Sequence, residues 1–228
     1  MLFRSYYPQK IEKQIAFLNS LPADTDLSKV VLHTATESID RDGKVIKTPS
    51  YKDLPIKEDT LQTIIGNVHN YRLSGCSFLL PNSCYQNMGG FREDIRTVSD
   101  VEYWYRLLFG GYQFYCLKND ILVQNRSHGK QVGKVRVSLF DQELDQLHIA
   151  IADQLAEQAK PSDMERFYCG LVKRGIVNAA RYTRETYLKR QLSNLEYNFI
   201  LPVKIGYYKA FGMVRLQLRN LYRRINVK

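Results

Sequence analysis

No stretch of this 228-residue chain is apolar over the roughly eighteen residues that a membrane-spanning helix needs. Between Met1 and Lys10 nothing resembles the apolar core of a signal peptide, so the chain is expected in the cytoplasm. Cysteine is scarce. Cys76, Cys84, Cys116 and Cys169 form no Cys-x-x-Cys pair and no His/Cys ligand spacing. That spacing excludes a zinc-finger or dithiol redox pattern and predicts free, buried thiols. Internal repeats and low-complexity segments are also absent.

What is present is a globular composition, 44% hydrophobic and 25% charged, at a length able to bury a core. The net charge of +10 is unevenly placed. Residues 161–228 hold fourteen Lys and Arg against four Asp and Glu, which leaves nineteen of each sign before position 161. The whole excess therefore lies in the last third, as expected of an appendage with an anionic partner.

Along the chain, Pro8 to Leu21 sets Ile11, Ile15, Phe17 and Leu18 among Lys and Gln at helical spacing, predicting an amphipathic helix. Lys29 to Thr34 reads as a strand, followed by an Asp-Gly turn at Asp40 to Gly43 before Val45 and Ile46. Polar Pro49 to Asp59 reads as a loop, Leu61 to Asn67 as a short helix and Cys76 to Leu80 as a strand. Gly89-Gly90-Phe91 marks a tight turn. Ser99 with Glu102 predicts a capping box opening a helix that buries Trp104, Leu107 and Leu108 and stops at Gly110-Gly111. Tyr112 to Leu117 and Ile121 to Gln124 read as two strands, and Val137 to Ala159 as a long helix. After Pro161 the pattern is helical and basic, with apolar Phe211, Val214, Leu218, Leu221 and Ile225 set apart from Arg215, Arg219 and Arg223.

Several short features then arrive in a telling order. Ser74-Gly75-Cys76-Ser77-Phe78-Leu79-Leu80 is followed by Met88-Gly89-Gly90-Phe91-Arg92-Glu93. Next come Ser99-Asp100-Val101-Glu102-Tyr103-Trp104-Tyr105-Arg106 and Arg126-Ser127-His128-Gly129-Lys130-Gln131. Together they resemble the donor-side glycine strand, the Gly-Gly-Phe turn, the acidic motif opening a Trp-containing helix and the closing Arg-x-His-x-x-Gln element of family 2, GT-A type, glycosyltransferases. Upstream, Tyr7 to Gln14 resembles the helix that follows that family's metal-binding Asp-x-Asp strand, and Ile39 to Lys44 its next hairpin. The likeness spans about positions 6 to 135. The sequence departs from the family in lacking the nucleotide-binding half that ends in Asp-x-Asp. Asp24-Thr25-Asp26 fits the bare pattern but follows a helix in a loop.

The resemblance implies an inverting transfer of a sugar from a nucleotide-sugar donor to a polysaccharide or lipid-linked acceptor, with this chain as an incomplete, acceptor-side part. Asp100 would be the catalytic base that takes the proton of the attacking hydroxyl; an Asp in a first helical turn is also favoured by the helix dipole alone. Gly75 would let the donor approach and Ser77 would bond a sugar hydroxyl, although a strand bulge explains the glycine equally well. Arg126, His128 and Gln131 would meet the departing diphosphate, and His128 is a candidate metal ligand. The family uses a divalent metal, Mn or Mg, whose Asp-x-Asp site has no counterpart here.

The expected architecture is α/β: a partial GT-A mixed sheet with flanking helices through residue 135, a connecting helix over 136–160 and a basic helical region over 161–228. That last region reads as a solvated bundle or, preferred, as an attachment to an anionic membrane surface at the inner face of the cell membrane. No nucleic-acid motif appears. A second chain supplying the absent half is a further expected partner, since a partial sheet leaves edges uncovered. The competing reading is a non-catalytic membrane-peripheral or partner-binding module derived from a glycosyltransferase.

Overall fold

The computed structural model describes residues 4–48, 56–57, 59–70, 73–127, 137–188, 206–207 and 210. It is α/β, with a four-stranded mixed sheet and flanking helices. Contacts gather into two compact units, Met1–Thr63 with Arg72–Gln131, and Ile64–Tyr71 with Val132–Lys228.

The first unit holds the sheet. Its strands are β1 (Arg4–Tyr6), β2 (Val30–Ile39), β3 (Val45–Lys47) and β4 (Gln113–Arg126), in the order β1-β4-β2-β3. β2 and β4 run parallel, while β1 lies antiparallel to β4 and β3 antiparallel to β2. β2 is buried over almost its whole length, as a central strand flanked on both faces should be. Gln113–Arg126 forms one strand where two, Tyr112 to Leu117 and Ile121 to Gln124, were expected. The pairing steps from Leu117↔Thr34 to Ile121↔Ala35, so the polar Lys118–Asp120 stretch is absorbed as an irregularity while pairing continues. Asp120 in that bulge is ion-paired to Lys13.

Helix α1 (Lys10–Asn19) follows β1. Phe17 and Leu18 pack with Tyr7, Leu21 and Leu79 on a core of Val30, Leu32, Tyr115, Leu117 and Leu122. Its remaining polarity is inverted: Lys10 and Gln14 are 6% and 0% exposed, whereas Ile11 and Ile15 are 55% and 44% exposed. The Asp-Gly turn forms as expected, with the Asp40 carboxylate accepting from the Asp42 and Lys44 amides at 2.9 Å and Gly43 at φ 93°. The Pro49–Asp59 loop lies largely outside the described residues.

Helices α2 (Thr60–Asn70), α3 (Asn82–Met88) and α4 (Ser99–Phe109) follow, α2 beginning in the first unit. The Cys76–Leu80 strand is corrected. Gly75–Ser77 is a 3₁₀ turn, closed by the Ser77 amide and hydroxyl donating to the Ser74 carbonyl at 2.9 and 2.8 Å. Only Leu79 pairs, bridging Leu32. The Ser99–Glu102 capping box is likewise not formed. The helix starts one residue early, so Val98, which has no side-chain acceptor, occupies the cap position, and the Glu102 carboxylate is taken by Arg106 through two bonds of 2.9 and 3.0 Å. Arg106 also donates to the carbonyls of Met88 and Gly90, so one guanidinium ties α4 to the Gly89-Gly90 turn. Trp104 is buried and stacks on Phe78 with ring centroids 4.0 Å apart.

The second unit holds α5 (Val137–Ala156), α6 (Pro161–Arg174) and α7 (Val177–Thr183). Pro161 opens α6, and Gly175 at φ 72° ends it, with Ile176 N donating to Leu171 O at 3.0 Å. Leu144, Ile151, Leu155, Met164, Phe167 and Leu171 are buried there. Asp145 of α5 caps α7 by accepting from the Asn178 and Ala179 amides at 3.0 Å. The basic amphipathic stretch from Lys204 to Lys228 lies outside the described residues apart from Gly206, Tyr207 and Ala210.

Candidate active site

The carboxyl ends of the parallel strands β2 and β4 bring Glu37, Ser38 and Ile39 beside Gln124, Asn125 and Arg126. Such ends are where open α/β sheets hold ligands. Against this end lies the 3₁₀ turn Gly75–Ser77. The Cys76 thiol donates to Asn125 Oδ1 at 2.8 Å, and Asn125 Nδ2 donates to Ser74 Oγ at 3.3 Å.

Asp100 sits in the first turn of α4, half-buried, with Oδ1 accepting from the Val101 amide at 2.9 Å. Its Oδ2 lies over Gly75 so closely that a Cβ added there would stand 2.5 Å from it. A side chain at position 75 would therefore push this carboxylate aside; Gly75 has no positive φ and lies in no strand bulge. These two residues, separate in the sequence reading, share one place.

The remaining predicted residues are placed as follows. Ser77 is fully buried, with its hydroxyl donating to Ser74 O. The Arg126 guanidinium donates to the carbonyls of Asp40 and Arg41 at 2.8 and 2.7 Å, latching the β2–β3 turn to the end of β4. His128 and Gln131, with Lys130 between them, lie outside the described residues. Asp26 accepts from the Ser28 amide and hydroxyl at 3.0 and 2.6 Å and caps a 3₁₀ turn, while Asp24 is exposed. Among the described residues no group of three His, Cys, Asp or Glu side chains could hold a metal ion.

The structure adds polar residues that the sequence concealed. The buried Glu37 carboxylate accepts from Tyr7 Oη at 2.7 Å and Gln124 Nε2 at 2.8 Å. The Glu37 hydrogen bond keeps the Tyr7 phenol protonated above its ordinary range, with burial adding to the effect. Lys10 donates to Gln14 Oε1 at 2.9 Å, and Gln14 Nε2 donates to Ser77 O at 3.3 Å. Burial lowers the Lys10 pKa, partly countered by Cys76 nearby. At helical spacing Lys10 and Gln14 look like a solvent face. Nothing in the sequence marked this inversion, since Ile11 and Ile15 are the residues that composition would turn inward.

No family model matches the chain, and no solved structure matches it. Its relatives are bacterial proteins named as uncharacterized glycosyltransferases. One from Rickettsia felis is 27% identical over 211 residues, covering 87% of this chain and 33% of the relative. One from Rickettsia conorii is 29% identical over 159 residues, covering 67% and 24%. One from Rickettsia prowazekii is 25% identical over 137 residues, covering 60% and 41%. The chain thus spans between about a quarter and two fifths of the length of these relatives. The likeness supports a glycosyltransferase at the level of class.

Proposed function

We propose that the chain is part of an inverting glycosyltransferase of the family 2, GT-A kind, in which Asp100 is the base. The observation that carries the reading is the Asp100 carboxylate laid over Gly75 beside the carboxyl ends of β2 and β4. The names of the relatives and the ordered motifs from Ser74 to Gln131 agree with it.

In this mechanism an acceptor hydroxyl attacks the anomeric carbon of a nucleotide-sugar. The bond from that carbon to the diphosphate oxygen breaks, and the hydroxyl proton passes to a carboxylate oxygen of Asp100. Oδ1 is fixed by the Val101 amide, which leaves Oδ2 as the proton acceptor. Anchoring one oxygen orients the other, so little reorganisation is needed when the proton moves.

The test is release of nucleoside diphosphate from a panel of nucleotide-sugars in the presence of lipid-phosphate acceptors. Asp100→Asn keeps the size and the Val101 bond but cannot take the proton. It should lower the rate by about 10²- to 10⁴-fold. Turnover equal to the parent chain would remove Asp100 from this role.

A further inference from the structure

An ammonium group carries three hydrogen-bond donors and, when buried, demands either acceptors or a counter-charge. Lys10 has one hydrogen bond, to the neutral amide of Gln14. Among the described residues no carboxylate lies within ion-pairing distance of it, and the Tyr6 ring, with its centroid 5.1 Å away, supplies only a π face. The buried Glu37 carboxylate is occupied by Tyr7 and Gln124. A buried cation satisfied by one neutral amide is poor design for stability alone.

The placement of Lys10 is specific. Through Gln14 it reaches the Ser77 carbonyl. It therefore borders the same three-residue turn, Gly75–Ser77, whose first residue lies beneath Asp100. Because Gln14 Oε1 accepts from Lys10, its Nε2 faces Ser77, so the ammonium fixes the amide orientation that holds the turn. The helix gives up two apolar contacts to achieve this, turning Ile11 and Ile15 outward.

We propose that Lys10 is an anion-binding residue of this site, its two remaining ammonium donors taking phosphoryl oxygens of a substrate held beside the Gly75–Ser77 turn. The inference deepens the glycosyltransferase reading and rests on it for the identity of the substrate, though not for the binding itself. Phosphoryl oxygens come either from the diphosphate of a sugar donor or from the phosphate of a lipid-linked acceptor. Lys10 and Asp100 then divide the labour across one turn, the cation holding charge and the carboxylate receiving a proton.

The experiment is calorimetric titration of the whole chain with inorganic pyrophosphate, uridine diphosphate and a short-chain prenyl phosphate. It is repeated on Lys10→Met, Lys10→Arg and Asp100→Asn, each checked for an unchanged circular-dichroism spectrum. Losing a charge-assisted hydrogen bond should weaken pyrophosphate binding by about tenfold in Lys10→Met. Lys10→Arg should retain most of the affinity, and Asp100→Asn should lose none. Tighter binding of uridine diphosphate than prenyl phosphate assigns Lys10 to the donor, and the reverse assigns it to the acceptor. Equal pyrophosphate affinity in Lys10→Met and the parent chain, or binding of none of the three probes, overturns the proposal. Lys10-dependent binding without Asp100-dependent turnover would sink the transferase reading alone; Asp100-dependent turnover with binding indifferent to Lys10 would sink this inference alone.

Discussion

The two units differ in how far their buried polar bonds are seen to reach. In the helical unit Thr183 Oγ1 donates to Ala179 O at 2.8 Å, and His148 Nδ1 lies 2.7 Å from Leu144 O, each within one helix. In the sheet unit such local bonds, Lys10 to Gln14 and Ser77 to Ser74, are joined by bonds across the fold, Gln14 to Ser77, Cys76 to Asn125 and Gln124 to Glu37. A bond to the preceding helical turn needs only the helix. A bond between distant strands and turns must be built by the whole fold, and its members become interdependent. Two of these long-range bonds, from Gln14 and from Cys76, hold the Gly75–Ser77 turn on which the Asp100 carboxylate lies.

Three measurements sharpen the contrast, beginning with the largest effect. Arg106→Met removes both bonds to Glu102 and those to the Met88 and Gly90 carbonyls. It leaves a buried carboxylate unpaired, and chemical denaturation should show a loss of about 4 kcal/mol. Next is the helical unit's response to acid. Burial lowers the pKa of His148 to about 4, below the ordinary value of 6.5, so the unfolded chain takes up the proton first. Stability is therefore full above pH 6.5 and falls by about 3 kcal/mol as pH drops towards 4. His148→Phe should flatten that slope in thermal melts across the window; an unchanged slope would assign it elsewhere. The smallest effect concerns Gly75 and Asp100. Gly75→Ala should cost about 1 kcal/mol, and most of that cost should vanish when Asp100 is already Ala, because the obstructing carboxylate is gone. Additive costs would mean that the two residues do not share a place.

Local patterns made much of the framework legible. The Asp-Gly turn, the helix stop at Gly110-Gly111 with Gly111 at φ 80°, and the Pro161 helix start each follow from a residue's own backbone preference. The four cysteines are buried and free, as their spacing implied. Misreadings arose where a distant partner outbid a local one. Glu102 would complete a capping box, but Arg106 claims it. Cys76 to Leu80 has strand composition, but the Ser74 carbonyl gathers the Ser77 amide and hydroxyl into a turn. Helix α3 passed unread because Asn82–Met88 is short and mostly polar. Within the candidate site, Asp100 and Gly75 were legible as motif members, while their approach to one another was not. Lys10 was hidden because residue type points outward at a position the fold turns inward.

Trp104 is the chain's single tryptophan, four residues beyond Asp100 and on the same helix. Its indole N–H is buried and has no hydrogen-bond partner among the described residues, and its ring is stacked on Phe78. The molecule therefore carries one intrinsic fluorophore, held dry and rigid beside its candidate chemistry. All of its tryptophan emission comes from that position, so a shift in colour or intensity on adding a compound is a local optical record of events near α4, obtained without attaching any label.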